Sequence, residues 1–264
     1  MTLTPERTHR PPAPSYRDAV SRLATAQKPG HGVPAYTRWP NRWLGRRLAA
    51  AAHVVGATPD QVTWASAAAS LVGIVLVVAV PPSLWSAVVV TVLLLLGYAL
   101  DSADGQLARL RGGGSPAGEW LDHVVDAVRL PLVHASLVVG FARWEGLPAW
   151  APLVPLGFLV VAVVRFFAMM LTEQVLARAA AGRLRSEAPE PAAAGGRRPL
   201  LRSYVLLPVD FGVLALVFLL LASPLLLLLG YGLLFVINAA WLVLTLGRRY
   251  REVAALAAPS RGVS

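Results

Sequence analysis

Leu84–Leu100 reads LWSAVVVTVLLLLGYAL, seventeen residues without a charged side chain, and the residue that follows is Asp101. An α-helix needs about 20 apolar residues to cross a bilayer, so this run ends at a membrane boundary with a carboxylate. Val62–Val80 and Leu225–Leu246 are equally free of charge. Over the whole chain of 264 residues, 56% are hydrophobic and 14% charged, whereas soluble domains carry roughly 25% charged residues. The chain reads as an all-α, polytopic membrane protein.

Extending the apolar runs gives six spans: Val62–Val80, Leu84–Ala108, Leu121–Ala142, Ala149–Leu171, Val205–Ala222 and Leu225–Leu246. Net charge is +10, and its distribution is uneven. The amino-terminal region, the turn after the second span, the loop after the fourth and the tail together hold 21 of the 24 basic residues. The connections on the other side hold only Arg143. Positive loops stay cytoplasmic, which puts both termini inside and the protein in the cell's inner membrane. That placement explains the basic excess without a nucleic-acid partner. Cysteine is absent, so disulfides, zinc–thiolate sites and cysteine nucleophiles are excluded.

Three segments follow: residues 1–38, basic and partly disordered up to about Thr25; a membrane domain, 39–247; and a basic tail, 248–264. The polar, proline-containing start has no apolar core and does not read as a signal peptide. The loop Ala179–Arg202, with Pro189, Pro191 and Gly195–Gly196, reads as flexible. Before the first span, Asn41–Val55 reads as an interfacial amphipathic helix. Leu44, Leu48, Ala51 and Val55 fall on one face, Arg42, Arg46 and His53 on the other, with Trp39 and Trp43 suited to the headgroup layer.

Charge inside membrane helices is costly and usually functional. Asp101 and Asp104, three apart at the end of the second span, share a helix face. Asp122 and Asp126, four apart at the start of the third, share another. The two spans are consecutive, so four carboxylates converge at one surface, where mutual repulsion disfavours their ionised forms. Arg109, Arg111 and Arg129 are too few and partly misdirected to neutralise them, whereas an all-oxygen set suits magnesium, manganese or calcium rather than zinc. Gly105, Ala108 and Gly118 keep the facing surfaces small, and Arg109 offers a planar cation for phosphate. A pyrophosphate-containing ligand fits that chemistry. An intramembrane cation transporter is the competing class, opposed by the clustering of the aspartates at one surface.

These residues resemble a known signature. Asp101-Ser-Ala-Asp104-Gly105-Gln-Leu-Ala108-Arg109, eight residues, then Gly118-Glu-Trp-Leu-Asp122-His-Val-Val-Asp126 is similar to the motif of the CDP-alcohol phosphotransferase family. The resemblance implies a homodimeric six-helix enzyme that moves a phospho-alcohol group from a CDP-alcohol to an acceptor hydroxyl and releases CMP. It implies a CDP-linked substrate, CDP-diacylglycerol foremost, bound through Asp101, Asp104, Gly105, Ala108, Arg109 and Gly118. It further implies two divalent ions, Mg2+ or Mn2+, on Asp101, Asp104, Asp122 and Asp126, with Asp126 as general base.

The polar acceptor, inositol phosphate or another alcohol, is less legible. A CDP-head-group donor acting on a lipid or a soluble phosphorylated alcohol stays open as an alternative. Arg165 could bind an acceptor phosphate, or pair with Asp210 or an acidic lipid. Asp210 could line the acceptor pocket or balance Arg165. Asp60 stands where the family has asparagine, and reads as a helix N-cap. Asn238 reads as a contact between helices.

Overall fold

The computed structural model describes residues 15–26, 32–183 and 203–257. Its regular elements there are all helical: α1 (Tyr16–Thr25), a π-turn (Thr37–Asn41), α2 (Arg42–Val54), α3 (Pro59–Ala79), α4 (Leu84–Leu110), α5 (Pro116–Arg143) and α6 (Leu153–Arg183). A broken segment follows: a 3-10 turn (Leu207–Val209), α7 (Phe211–Val217) and a second 3-10 turn (Phe218–Ala222). Then come α8 (Pro224–Ala254) and a last 3-10 turn (Ala255–Ala257). Helices α3, α4, α5, α6 and α8 are long and apolar enough to cross a membrane, and the broken segment is the shorter sixth.

Local sequence sets the helix ends. Thr58 caps α3 in a reciprocal box with Gln61, its hydroxyl accepting from the Gln61 N–H at 3.2 Å and its own N–H donating to Oε1 at 2.9 Å. Asp60 is therefore not the cap. Pro59 occupies the first helical position, which moves the cap one residue before it and puts Asp60 in the first turn. Ser83 and Ser86 close the corresponding box on α4.

The fifth expected span, Val205–Ala222, is not one continuous helix. Pro208 cannot donate a helical hydrogen bond, and Asp210 is extended (φ −82°, ψ 135°), capping α7 through the Gly212 N–H at 2.7 Å. At 1.5–2 Å rise per residue, Phe211–Ala222 covers roughly 20 Å of an about 30 Å hydrocarbon core. The break is closed by neighbouring side chains. Asn238 of α8 donates to the Pro208 carbonyl at 2.9 Å, and Arg165 of α6 to the Val209 carbonyl at 3.0 Å and to Asn238 Oδ1 at 3.2 Å. Carbonyls that a regular helix would have paired are satisfied in this way, as apolar surroundings require. Asn238 does hold helices together.

The amino-terminal region also departs from expectation, because Tyr16–Thr25 is an ordered helix. Ala19 and Leu23, four apart, are buried against Ala49, Ala50, Leu107 and Leu110. The polarity of the other positions hid that apolar pair. Residues 1–14, and the loop from 184 to 202, lie outside the described residues; the first part of the loop, to Arg183, continues α6.

Helix α2 divides its surface. Gly45, Ala49 and Ala50 are buried toward α4, and a Cβ on Gly45 would stand 2.8 Å from Ser102 Oγ. Leu44, at 37% exposure, and Val55, just past the helix end at 77%, face outward beside exposed Trp39 and Trp43, while Leu48 packs against the core with Ala49 and Ala50. Small residues let α2 approach the bundle closely, and the outward aromatic and apolar side chains suit an interfacial helix.

Candidate active site

The hairpin between α4 and α5 brings the aspartates together. Helix α4 ends as Arg111 N–H and Gly113 N–H return to the Leu107 and Ala108 carbonyls, at 3.2 and 3.0 Å. Gly112 and Gly113 have φ of +101° and +136°, a region that side-chain-bearing residues avoid. Ser115 then caps α5, accepting from the Gly118 N–H at 2.9 Å, with Pro116 in the first turn. This tight turn sets the end of α4 beside the start of α5.

Across it, Asp101, Asp122 and Asp126 each offer an oxygen within 4.8 Å of the others, and all three are half-buried. Asp104 is turned elsewhere. It is 6% exposed, and its Oδ2 accepts from the Thr63 hydroxyl at 2.6 Å while Oδ1 faces the Gly105 N–H. The structure thus gathers three of the four aspartates and anchors the fourth one turn away.

A cation stands inside the cluster. Arg129 of α5, 7% exposed, ion-pairs with both Asp101 and Asp126, and its Nη1 donates to Ser66 Oγ of α3 at 3.2 Å. The Phe211 ring lies 5.5 Å from its guanidinium carbon. The expectation that nearby arginines are misdirected fails for this one. Arg129 follows Asp126 by three residues and Asp122 by seven, so all three lie on one helix stripe, a signal present in the sequence.

Arg109 lies over Gly105, where a Cβ would meet its Nη1 at 3.5 Å. Its Nε is buried with no hydrogen-bond acceptor among the described residues. Gly118 faces Asp60, whose Oδ1 would be 3.2 Å from an added Cβ. Asp60 therefore borders the α5 amino terminus, one turn before Asp122. Ala108 packs at the hairpin, 3.9 Å from a Cβ built on Gly114.

The two acceptor candidates sit in a second network. Asp210 accepts from the Thr37 N–H at 3.0 Å and from the Thr37 hydroxyl at 2.6 Å, besides capping α7. Thr37 in turn meets the Tyr98 hydroxyl at 2.6 Å. Arg165 spends its Nη1 on Val209 and Asn238, and no ion pair joins it to Asp210 among the described residues. Their bonds hold the broken span and strap the amino-terminal π-turn to it. Thr37, Thr63, Ser66 and Tyr98 were missed in the sequence, where hydroxyls on apolar helices carry no distinguishing pattern.

An all-helical membrane bundle with carboxylates and arginines at one helix hairpin defines the class. A family model of CDP-alcohol phosphatidyltransferases matches residues 57–247, and the chain belongs to that family. Over 144 residues it is 31% identical to the phosphatidylinositol phosphate synthase of Mycolicibacterium smegmatis, a match covering 54% of this chain and 60% of that relative.

Proposed function

We propose that the enzyme transfers the phosphatidyl group of CDP-diacylglycerol to a hydroxyl of inositol phosphate and releases CMP. The convergence of Asp101, Asp122 and Asp126 at the α4–α5 hairpin carries the reading. The similarity to a phosphatidylinositol phosphate synthase favours the acceptor. The cluster opens toward the cytoplasm, as the basic loops on that side suggest, and the homodimer is taken over from the family resemblance.

The donor set suits a divalent metal. Three carboxylates within reach of one another form an all-oxygen site, the chemistry of Mg2+ or Mn2+. Asp101, Asp122 and Asp126 would hold the ion, with Asp104 nearby as a further ligand. Held by these carboxylates, such an ion would supply charge neutralisation of the pyrophosphate.

The chain's own residues perform the rest. Arg109, with an Nε lacking an acceptor among the described residues, donates to a pyrophosphate oxygen. Gly105, Ala108 and Gly118 leave room for the nucleotide beside the backbone. Asp126 takes the proton from the acceptor hydroxyl. The oxygen attacks the phosphorus distal to cytidine, the bond to the bridging oxygen breaks, and its electrons leave with CMP. Arg165 Nη1 is committed to Val209 and Asn238 and Asp210 to Thr37 and Gly212, so an acceptor phosphate would be met by the remaining guanidinium donors of Arg165.

The test is CMP release by purified protein with Mg2+, CDP-diacylglycerol and one acceptor at a time. Inositol phosphate should be used in preference to glycerol phosphate, inositol or serine. Preference for another of these overturns the acceptor, and no release with any overturns the donor.

A further inference from the structure

We propose that Arg129 is a positioning residue: it holds one oxygen each of Asp101 and Asp126, leaving their other oxygens to face the divalent cation and the acceptor. The inference rests on the transfer reading above.

Arg129 joins four helices at the site. Its partners are Ser66 on α3, Asp101 on α4 and Asp126 on α5, with the Phe211 ring of α7 beside it. The Arg129 side chain is 6% exposed against 21% and 32% for Asp101 and Asp126, so the guanidinium orients the one oxygen it holds on each carboxylate and leaves the rest of each group open. A guanidinium stays charged at any working pH and presents a rigid fork of donors. It can therefore hold two carboxylates and a hydroxyl in fixed directions, whereas lysine's three donors rotate about one nitrogen on a flexible stem.

Two consequences pull in opposite directions. The ion pairs fix Asp126 for proton transfer, where a misplacement of about 1 Å costs on the order of a hundredfold in rate. The same positive charge repels a divalent ion held by the same aspartates, because like charges weaken each other strongly at short range. Removing the charge should therefore tighten metal binding while it slows transfer. A residue needed only for folding would weaken both together.

The experiment titrates Mn2+ into purified Arg129→Gln and wild-type protein without substrate, by paramagnetic resonance, and separately measures kcat and KM for the CDP-lipid. Expected for Arg129→Gln are Mn2+ affinity up on the order of tenfold and kcat down by more than about tenfold, with KM for the CDP-lipid changed little. Unchanged or weaker Mn2+ binding, or wild-type kcat, overturns the proposal. Should Arg129→Gln not fold, Arg129→Lys decides. Mn2+ affinity near wild type with lowered kcat supports positioning, and wild-type kcat refutes it. Wild-type protein that releases no CMP refutes the transfer reading, while the Mn2+ arm still tests how Arg129 acts on the carboxylates.

Discussion

Ser66 receives the Arg129 guanidinium at 3.2 Å while donating its own proton to the Gly97 carbonyl at 2.8 Å. One hydroxyl on α3 thereby links the backbone of α4 to the buried cation of α5. Ser66→Ala strips one partner from each group while Arg129 keeps its carboxylates, so each lost bond should cost about 0.5–1.5 kcal/mol. Thermal unfolding in detergent should show a lowered midpoint, and CMP release should fall with it. An unchanged midpoint would mean that Arg129 does not depend on this hydroxyl.

Asp126→Asn should abolish turnover and leave binding of the CDP-linked substrate largely intact, because the amide cannot accept the acceptor's proton. Asp101→Asn should weaken Mn2+ binding as well. CMP release together with ligand-induced stabilisation of each variant checks both statements. Wild-type turnover in Asp126→Asn would remove the base assignment.

Chelation of divalent ions should stop CMP release, and Mg2+ or Mn2+ added back should restore it. Turnover that persists through exhaustive chelation would show that Arg129 and Arg109 suffice as cations.

At Gly97 the α3–α4 contact leaves no room for a side chain. A Cβ there would come within 2.1 Å of Ser70 Oγ and 3.1 Å of the Ser66 carbonyl. Gly97→Ala should destabilise by about 1–3 kcal/mol, as overpacking does, and disturb Ser66 and so Arg129. The midpoint of unfolding reads the first effect and kcat the second.

The broken span offers a test of its two polar anchors. Asn238→Leu removes the donor to the Pro208 carbonyl and should cost about 1–3 kcal/mol in stability, with KM for the acceptor unchanged. Arg165→Gln separates two roles. A raised KM for the phosphorylated acceptor marks a substrate contact, and a stability loss alone marks a clamp on Val209.

The long spans were legible because apolar length is a local property: Leu84–Leu100 can only be solvated by lipid or by other helices. The small-residue face of α2 was not. Gly45 and Ala49 are inconspicuous beside Leu44 and Leu48, and their importance comes from how closely α4 approaches. The order of α1 was hidden for a similar reason, since Ala19 and Leu23 gain stability only from surfaces supplied by α2 and α4.

At the site, chain spacing placed Asp101, Asp104, Asp122 and Asp126 near one another, since consecutive helices joined by a short glycine hairpin must meet at their ends. Arg129 lay on the same stripe and was discounted, because sequence separation alone does not tell whether a cation points into a cluster or away from it.

By itself the sequence determined the membrane class, the long spans and the gathering of acidic residues at one bundle end, because hydropathy, helical periodicity and turn chemistry act over short distances. Tertiary structure decided which carboxylates face each other, that Thr63 draws Asp104 aside, that Arg129 sits between Asp101 and Asp126, and that the span at Pro208 breaks. Each of those outcomes depends on hydrogen bonds and ion pairs between helices far apart in the chain, whose formation depends on packing rather than on neighbouring residues.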